Sequence, residues 1–251
     1  MTAVLWHIEL SHYSEKARWA LDYKGLPYER RTPMPGLHRI RAATLTRGFQ
    51  ARLPVLELDG RRVADSTAII AALEDARPEP ALYPADVAER ARALALEDDF
   101  DERLGPAVRR FVWFHTLPDA DATAAALFTE PHPARERMLR ATMPLARRAV
   151  SADYGASAAG AQAARATILE TLGRIEQLTA DSGYLVGDAF TVADLTGAAL
   201  MTPLIAPPER PYAPSTVAPD IAAFRQELLE RPGGAWVTDV YARHRGVPVA
   251  A

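Results

Sequence analysis

Between Ala76 and Pro84 the chain places three prolines in nine residues, and the hydrophobic periodicity differs on the two sides of that stretch. Proline lacks an amide donor and fixes its φ, so neither a helix nor a central strand passes through such a segment. On the N-terminal side, short alternating or apolar runs are interspersed with helical patterns. On the C-terminal side strand signals largely vanish and alanine-rich helical patterns dominate. This division predicts an α+β unit over residues 1–77, a linker over 78–85 and an all-α unit over 86–251. At 251 residues and 49% hydrophobic content, the chain can bury a sizeable core.

The first unit can be ordered from its turn chemistry. Ala3 to Ile8 is a short apolar strand, followed by Leu10-Ser11-His12-Tyr13-Ser14-Glu15-Lys16-Ala17-Arg18-Trp19-Ala20-Leu21, a turn that opens a helix. Ser11 and Ser14 are three residues apart at that opening, so either can cap its orphan amides. Gly25 and Pro27 end the helix. Leu26 to Arg31 follows as a second strand, parallel to the first through a right-handed crossover. Pro33 to Ala51 is basic and weakly periodic, which predicts a short irregular helix between loops. Arg52 to Leu58 and Arg61 to Ala64 are strands joined by the Asp59-Gly60 hairpin signal. One of Asp65 and Ser66 then caps a helix from Thr67 to Glu74. The order is βαβαββα, a four-stranded mixed sheet.

Beyond the prolines, Asp86 and Glu89 have capping-box spacing ahead of a long helix with a kink expected at Gly105-Pro106. Residues 116–133 read as loop or short turns. Helices are expected from about Arg135 to Val150 and Ala161 to Leu178. Thr191-Val192-Ala193-Asp194 is a second capping box, with Phe190 and Leu195 placed for a hydrophobic staple; that helix is expected to stop at Pro203. Residues 206–219, with five more prolines, read as an irregular excursion, and two helices follow, Asp220 to Glu230 and Gly234 to Arg245. Thr191 and Asp194 are assigned to stability, since their spacing speaks only of a helix start.

Composition excludes several function classes. A net charge of −3 offers no electrostatic case for nucleic acid. Apolar runs break well short of the roughly 18 residues a bilayer span needs, and no N-terminal signal pattern is present, which predicts a cytoplasmic protein without membrane contact. Cysteine is absent, so disulfides, thiolate-held zinc and protein thiol nucleophiles are all excluded. The six histidines show no metal-ligand spacing, so no metal site is expected, and GxGxxG and P-loop motifs are missing.

Ser11 to Arg18, Leu53-Pro54-Val55, Asp65-Ser66 and Gly187 to Asp194, taken in this order and spacing, resemble the soluble glutathione S-transferases over essentially the full length. The resemblance implies a thioredoxin-like N-terminal domain and an all-α C-terminal domain. It implies a cis peptide at Pro54 and pairing of the Leu53 backbone with the cysteinyl part of glutathione. It also implies that Asp65 and Ser66 hold the γ-glutamyl end and that Ser11 faces the sulfur. Glutathione would serve as co-substrate with no bound cofactor, the partner would be a small electrophile, and the chain would form a homodimer. Many relatives carry cysteine where this chain has Ser11 or Ser14, and thioltransferase or reductive activities accompany it. Both positions are serine here.

The implied chemistry is physically coherent. A thiol of pKa near 8.5 is only a few per cent ionised at pH 7, so an enzyme that uses it must stabilise the anion. A hydroxyl, nearby amides and a helix N-terminus together supply about one to two pH units of that stabilisation. Ser11 is therefore the catalytic candidate, with Ser14 closer to a purely structural role. His38, Arg39 and Arg52 are basic candidates for the glycine carboxylate. Tyr13, Arg109 and Trp113 are candidates for the substrate pocket, with Phe114 and His115 beside them, although an aromatic cluster is more often core. Arg109 and Arg110 can meet an acidic substrate or be solvated. The expected activity is conjugation of glutathione to a small electrophile, or isomerisation of one; the alternative is a non-catalytic ligand-binding or protein-interaction module on the same fold.

Overall fold

The structure, a computed structural model, describes residues 2–34, 37–128 and 133–246. The first half follows the expected order: β1 (Ala3–Trp6), α1 (His12–Tyr23), β2 (Glu29–Arg31), α2 (His38–Leu45), β3 (Val55–Leu58), β4 (Arg61–Ala64) and α3 (Ser66–Ala76). The sheet order is β2-β1-β3-β4, with β1 parallel to β2 and antiparallel to β3. Residues of β1 and β3 alternate between two cores. Ala3, Leu5, Leu56 and Leu58 join the main core, whereas Trp6 and Val55 pack with Ala42 and Leu45 of α2 and with Leu53. The period of two thus sets a helical layer on each face.

The second half is helical: α4 (Val87–Asp99), α5 (Gly105–Thr116), α6 (Ala120–Leu127), α7 (Pro133–Tyr154), α8 (Ala158–Leu178), α9 (Val192–Ile205), α10 (Pro219–Leu229) and α11 (Pro232–His244). Every residue of α9 except Pro203 is buried. A helix apolar or small on all sides can be covered all round, and α9 is the central one. Its capping box forms: the Asp194 carboxylate accepts from the Thr191 amide at 2.9 Å and from the Leu185 amide at 2.8 Å. The two halves join through α1, where the fully buried Trp19 ring lies 4.3 Å from Tyr241 and 5.6 Å from Phe190.

Three local expectations are corrected. Residues 116–133 are not simply loop, because Asp119 accepts from the amides of Asp121 and Ala122 and starts α6. α9 does not stop at Pro203. The carbonyl that Pro203 cannot reach, that of Ala199, accepts instead from the Thr202 hydroxyl at 2.8 Å, and the helix runs on to a left-handed Ala206. The expected kink at Gly105-Pro106 is a π-helical turn over Phe100–Leu104, in which the Gly105 amide bonds to Phe100.

Candidate functional site

The site begins with how α1 is held. Glu15, Arg18, Asp22 and Arg245 form a buried network: Arg18 Nε donates to Glu15 at 3.0 Å, and Arg245 donates to Glu15 at 2.7 Å and to Asp22 at 2.9 Å. Burial alone would raise the Glu15 pKa, but Arg18 and Arg245 together hold it below the ordinary carboxylate range. Lys16, also buried, donates to Thr67 Oγ1 at 2.9 Å and pairs with Glu97 at 2.8 Å and with Asp101. α1 is thereby tied to α3 and α4, and its N-terminus has a fixed direction.

At that terminus Ser11 is the cap. Its Oγ accepts from the Ser14 amide at 3.3 Å, while the hydroxyl proton is free to donate. Ser14 is fully buried, and its Oγ accepts from the Ile8 amide at 3.1 Å. Tyr13 donates to the carbonyl of Asp101 at 2.7 Å. That carbonyl is available because the π turn sends the Gly105 amide to Phe100 instead. Gly105 is also required by packing, since a Cβ there would lie 2.2 Å from the Tyr13 hydroxyl. Burial pushes the Tyr13 phenol well above its ordinary pKa, so Tyr13 stays protonated.

Ser11 opens into a cavity of about 230 Å³ between the sheet unit and the helices. Of the residues singled out in the sequence, Ser11, Tyr13, His38, Arg52, Leu53, Arg109 and Trp113 line it together. Among the described residues, Pro54, Asp65 and Ser66 do not line it. The Leu53–Pro54 peptide is cis. Asp65 caps α3 with a single oxygen, Oδ1 accepting from Thr67 at 2.9 Å and Ala68 at 3.4 Å, and Oδ2 has no partner among the described residues. Its φ of 81° is unusual for a residue with a Cβ, and such backbone strain concentrates at ligand sites. Ser66, 2% exposed, follows it as the first residue of α3.

Arg39 and Arg52 lie 3.3 and 4.0 Å from Asp153 at the end of α7, and His38 and Tyr154 line the cavity beside them. Arg110 turns away to the Tyr154 carbonyl, and His115 pairs with Asp220 at 2.8 Å. Phe114 and His115 are not among the described lining residues, because α5 presents to the cavity only the face that carries Arg109, Val112, Trp113 and Thr116. Sequence reasoning assigned no role to His12, Arg210 or Arg225, all three of which line the cavity. His12 stood within the turn motif. Arg210 stood among prolines in an irregular stretch that carries no periodicity to place it. No group of residues able to hold a metal ion occurs among the described residues; His132 lies outside them.

The model of the glutathione S-transferase N-terminal domain matches residues 5–81, and that of the glutathione S-transferase C-terminal domain matches residues 138–232. The chain belongs to the glutathione S-transferase family. Comparison with curated proteins returns no match. Among solved structures, a glutathione S-transferase from Rhodospirillum rubrum is 22% identical, with a TM-score of 0.58 over 94% of this chain and 91% of that one. The theta class enzyme from Xanthomonas axonopodis pv. citri, with glutathione bound, is 20% identical, with a TM-score of 0.58 over 98% of each chain. A glutathione S-transferase from Methylobacterium radiotolerans in complex with glutathione sulfonate is 24% identical, with a TM-score of 0.55 over 94% and 93% of the two chains. At such identities the likeness is one of fold.

Proposed function

We propose that this protein binds glutathione along the edge formed by Leu53, Asp65 and Ser66, stabilises its thiolate at Ser11, and transfers it to a small electrophile in the cavity. The observation that carries the reading is the Ser11 hydroxyl at the cavity wall, whose oxygen is engaged by the Ser14 amide and whose proton remains to be given. A hydroxyl already accepting one hydrogen bond is polarised toward donating the next. The thiol proton leaves to solvent, the sulfur anion takes the Ser11 hydrogen bond, and the sulfur then forms a bond to the electrophilic carbon as the bond to its leaving group breaks and that group departs with the electron pair. The N-terminus of α1 adds its partial positive charge on the same side. Oδ2 of Asp65 suits the ammonium of the γ-glutamyl end, and His38 and Arg52 suit the glycine carboxylate.

The same reading includes a homodimer and a division of the chain at 77 and 86. Support for the dimer comes from Phe49, 87% exposed, with Ile40, Leu37 and Met34 also exposed on and beside α2. The test is calorimetry with glutathione followed by turnover of a generic aryl halide. Binding with turnover is expected. Absence of thiol binding overturns the site, and binding without turnover on a broad electrophile panel points to a ligand-binding module.

A further inference from the structure

Among the described residues, four arginines line the cavity, Arg52, Arg109, Arg210 and Arg225, against one carboxylate, that of Glu9. The chain as a whole is negatively charged, so this local excess of cation is not a reflection of composition. Arg52 leans toward Asp153, whereas Arg109 comes from α5, Arg225 from α10 and Arg210 from the loop between α9 and α10. No carboxylate pairs with Arg109 among the described residues. Its guanidinium sits 5.7 Å from the Tyr13 ring centre and 4.6 Å from that of Tyr154, and its buried Nε has no partner. Ring faces orient such a cation without neutralising it.

Two of the lining groups, Arg210 and His12, are almost fully buried and incompletely bonded. Arg210, 7% exposed, donates to the carbonyls of Leu10 at 2.6 Å and Thr202 at 3.5 Å, yet its Nε has no partner. His12, 5% exposed, has an Nε2 without a partner. A buried polar atom left unbonded is costly, and the carboxylate that supports the Arg210 charge, Glu15, is already bonded by Arg18 and Arg245. Such a lining suits an anion.

We infer that the electrophile is an acid: an apolar molecule carrying a carboxylate, with its body against Val112, Trp113 and Ile221 and its carboxylate held by Arg109 and Arg210 beside His12. The chemistry rests on the reading of Ser11 given above, but the binding does not. For an aryl chloride the thiolate sulfur forms a bond to the carbon bearing chlorine, the C–Cl bond breaks, and chloride leaves with the electron pair. The carboxylate anchors the ring and takes no part in the electron flow.

The test has two arms. In the first, calorimetry compares an unreactive nitrobenzoate with the matching neutral nitrobenzamide, with glutathione absent and then saturating. The acid should bind at least about tenfold more tightly, as expected of a charge-assisted bidentate contact, and Arg109→Gln should remove most of that preference. Arg109→Lys should retain part of it, and thermal unfolding checks that both variants fold. Equal binding of acid and amide overturns the inference, as does a preference that survives Arg109→Gln. So does a preference lost when glutathione saturates, since the arginines would then serve the peptide's own carboxylate. In the second arm, kcat/KM for a chloronitrobenzoate and its methyl ester, each divided by its uncatalysed rate, should favour the acid by a similar factor. Failure of both electrophiles to turn over would count against the Ser11 reading alone, because the first arm would still stand or fall on its own.

Discussion

Ser11 and Ser14 are coupled in one direction only: the Ser14 amide donates to Ser11 Oγ, while Ser14 Oγ is occupied 3.1 Å from the Ile8 amide. The two serines therefore have separable roles. Ser11→Ala should lower kcat about ten- to a hundredfold, the range expected for losing one hydrogen bond to a charged atom. It should also move the acid limb of the rate profile upward by about one to two pH units, with little change in glutathione affinity. Ser14→Ala should leave that limb in place and lower stability by about 1–2 kcal/mol, because the Ile8 amide loses its acceptor. Stopped-flow ionisation of bound glutathione and urea unfolding separate the two. A shift produced by Ser14→Ala would mean the wrong serine has been assigned.

Asp65 combines a cap with a φ of 81°, and two substitutions divide these contributions. Asp65→Ala should cost about 1 kcal/mol as a lost cap while keeping the unfavourable φ. Asp65→Gly tolerates that φ and costs only a few tenths as a cap, so its melting temperature should lie above that of the alanine variant. Both lose the carboxylate, and both should weaken glutathione binding by at least about tenfold with a smaller effect on kcat, as uniform binding requires. Glutathione titrations that match wild type would remove Asp65 from the site.

His7 should govern part of the acid sensitivity. It is fully buried, and its Nδ1 faces Arg18 Nη1 at 2.8 Å, a donor without acceptor capacity, so the ring is neutral. Burial, and then the charges of Arg18 and Arg30, lower its pKa to about 3. The unfolded chain takes up this proton near pH 6.5, so stability is full above that value and declines below it. The slope is about 1.4 kcal/mol per pH unit until the folded state is protonated. His7→Gln should reduce the stability difference between pH 7 and pH 5 by about 2 kcal/mol in urea titrations. An unchanged difference would show that other groups set the acid limb.

Phe49 should be needed for association. It is 87% exposed, and Ile40 of α2 and Leu37 just before that helix are also uncovered. Phe49→Ser should convert a dimer to monomer in sedimentation velocity at micromolar concentration, with cooperative unfolding retained. A wild-type protein that sediments as monomer would exclude the dimer.

Much of the fold was legible because its signals are local. Gly25 with Pro27, Asp59-Gly60, the caps at Asp65 and Asp86, and Thr191 with Asp194 each act within a few residues, and each appears where its spacing places it. In two places a neighbouring group overrides the local rule. Pro203 should have ended α9, but Thr202 satisfies the carbonyl that the proline abandons. Pro106 should have kinked a helix, and a π turn absorbs it instead.

The sequence by itself determined the division into a sheet-bearing and a helical half, the strand order along the chain, and the serine at the mouth of α1, since all of these follow from periodicity, turn residues and motif spacing. Tertiary structure alone decided which serine faces the cavity, because Ser14 is turned inward only by the Ile8 amide that closes over it. It alone also brought Arg109, Arg210 and His12 to one cavity, from α5, from a proline-rich loop and from α1. Those residues are far apart in the chain, and no periodicity relates them. Their convergence depends on the packing of α9 against both α1 and α5, which brings Arg109 and Arg210 to a cavity whose one lining carboxylate among the described residues is that of Glu9.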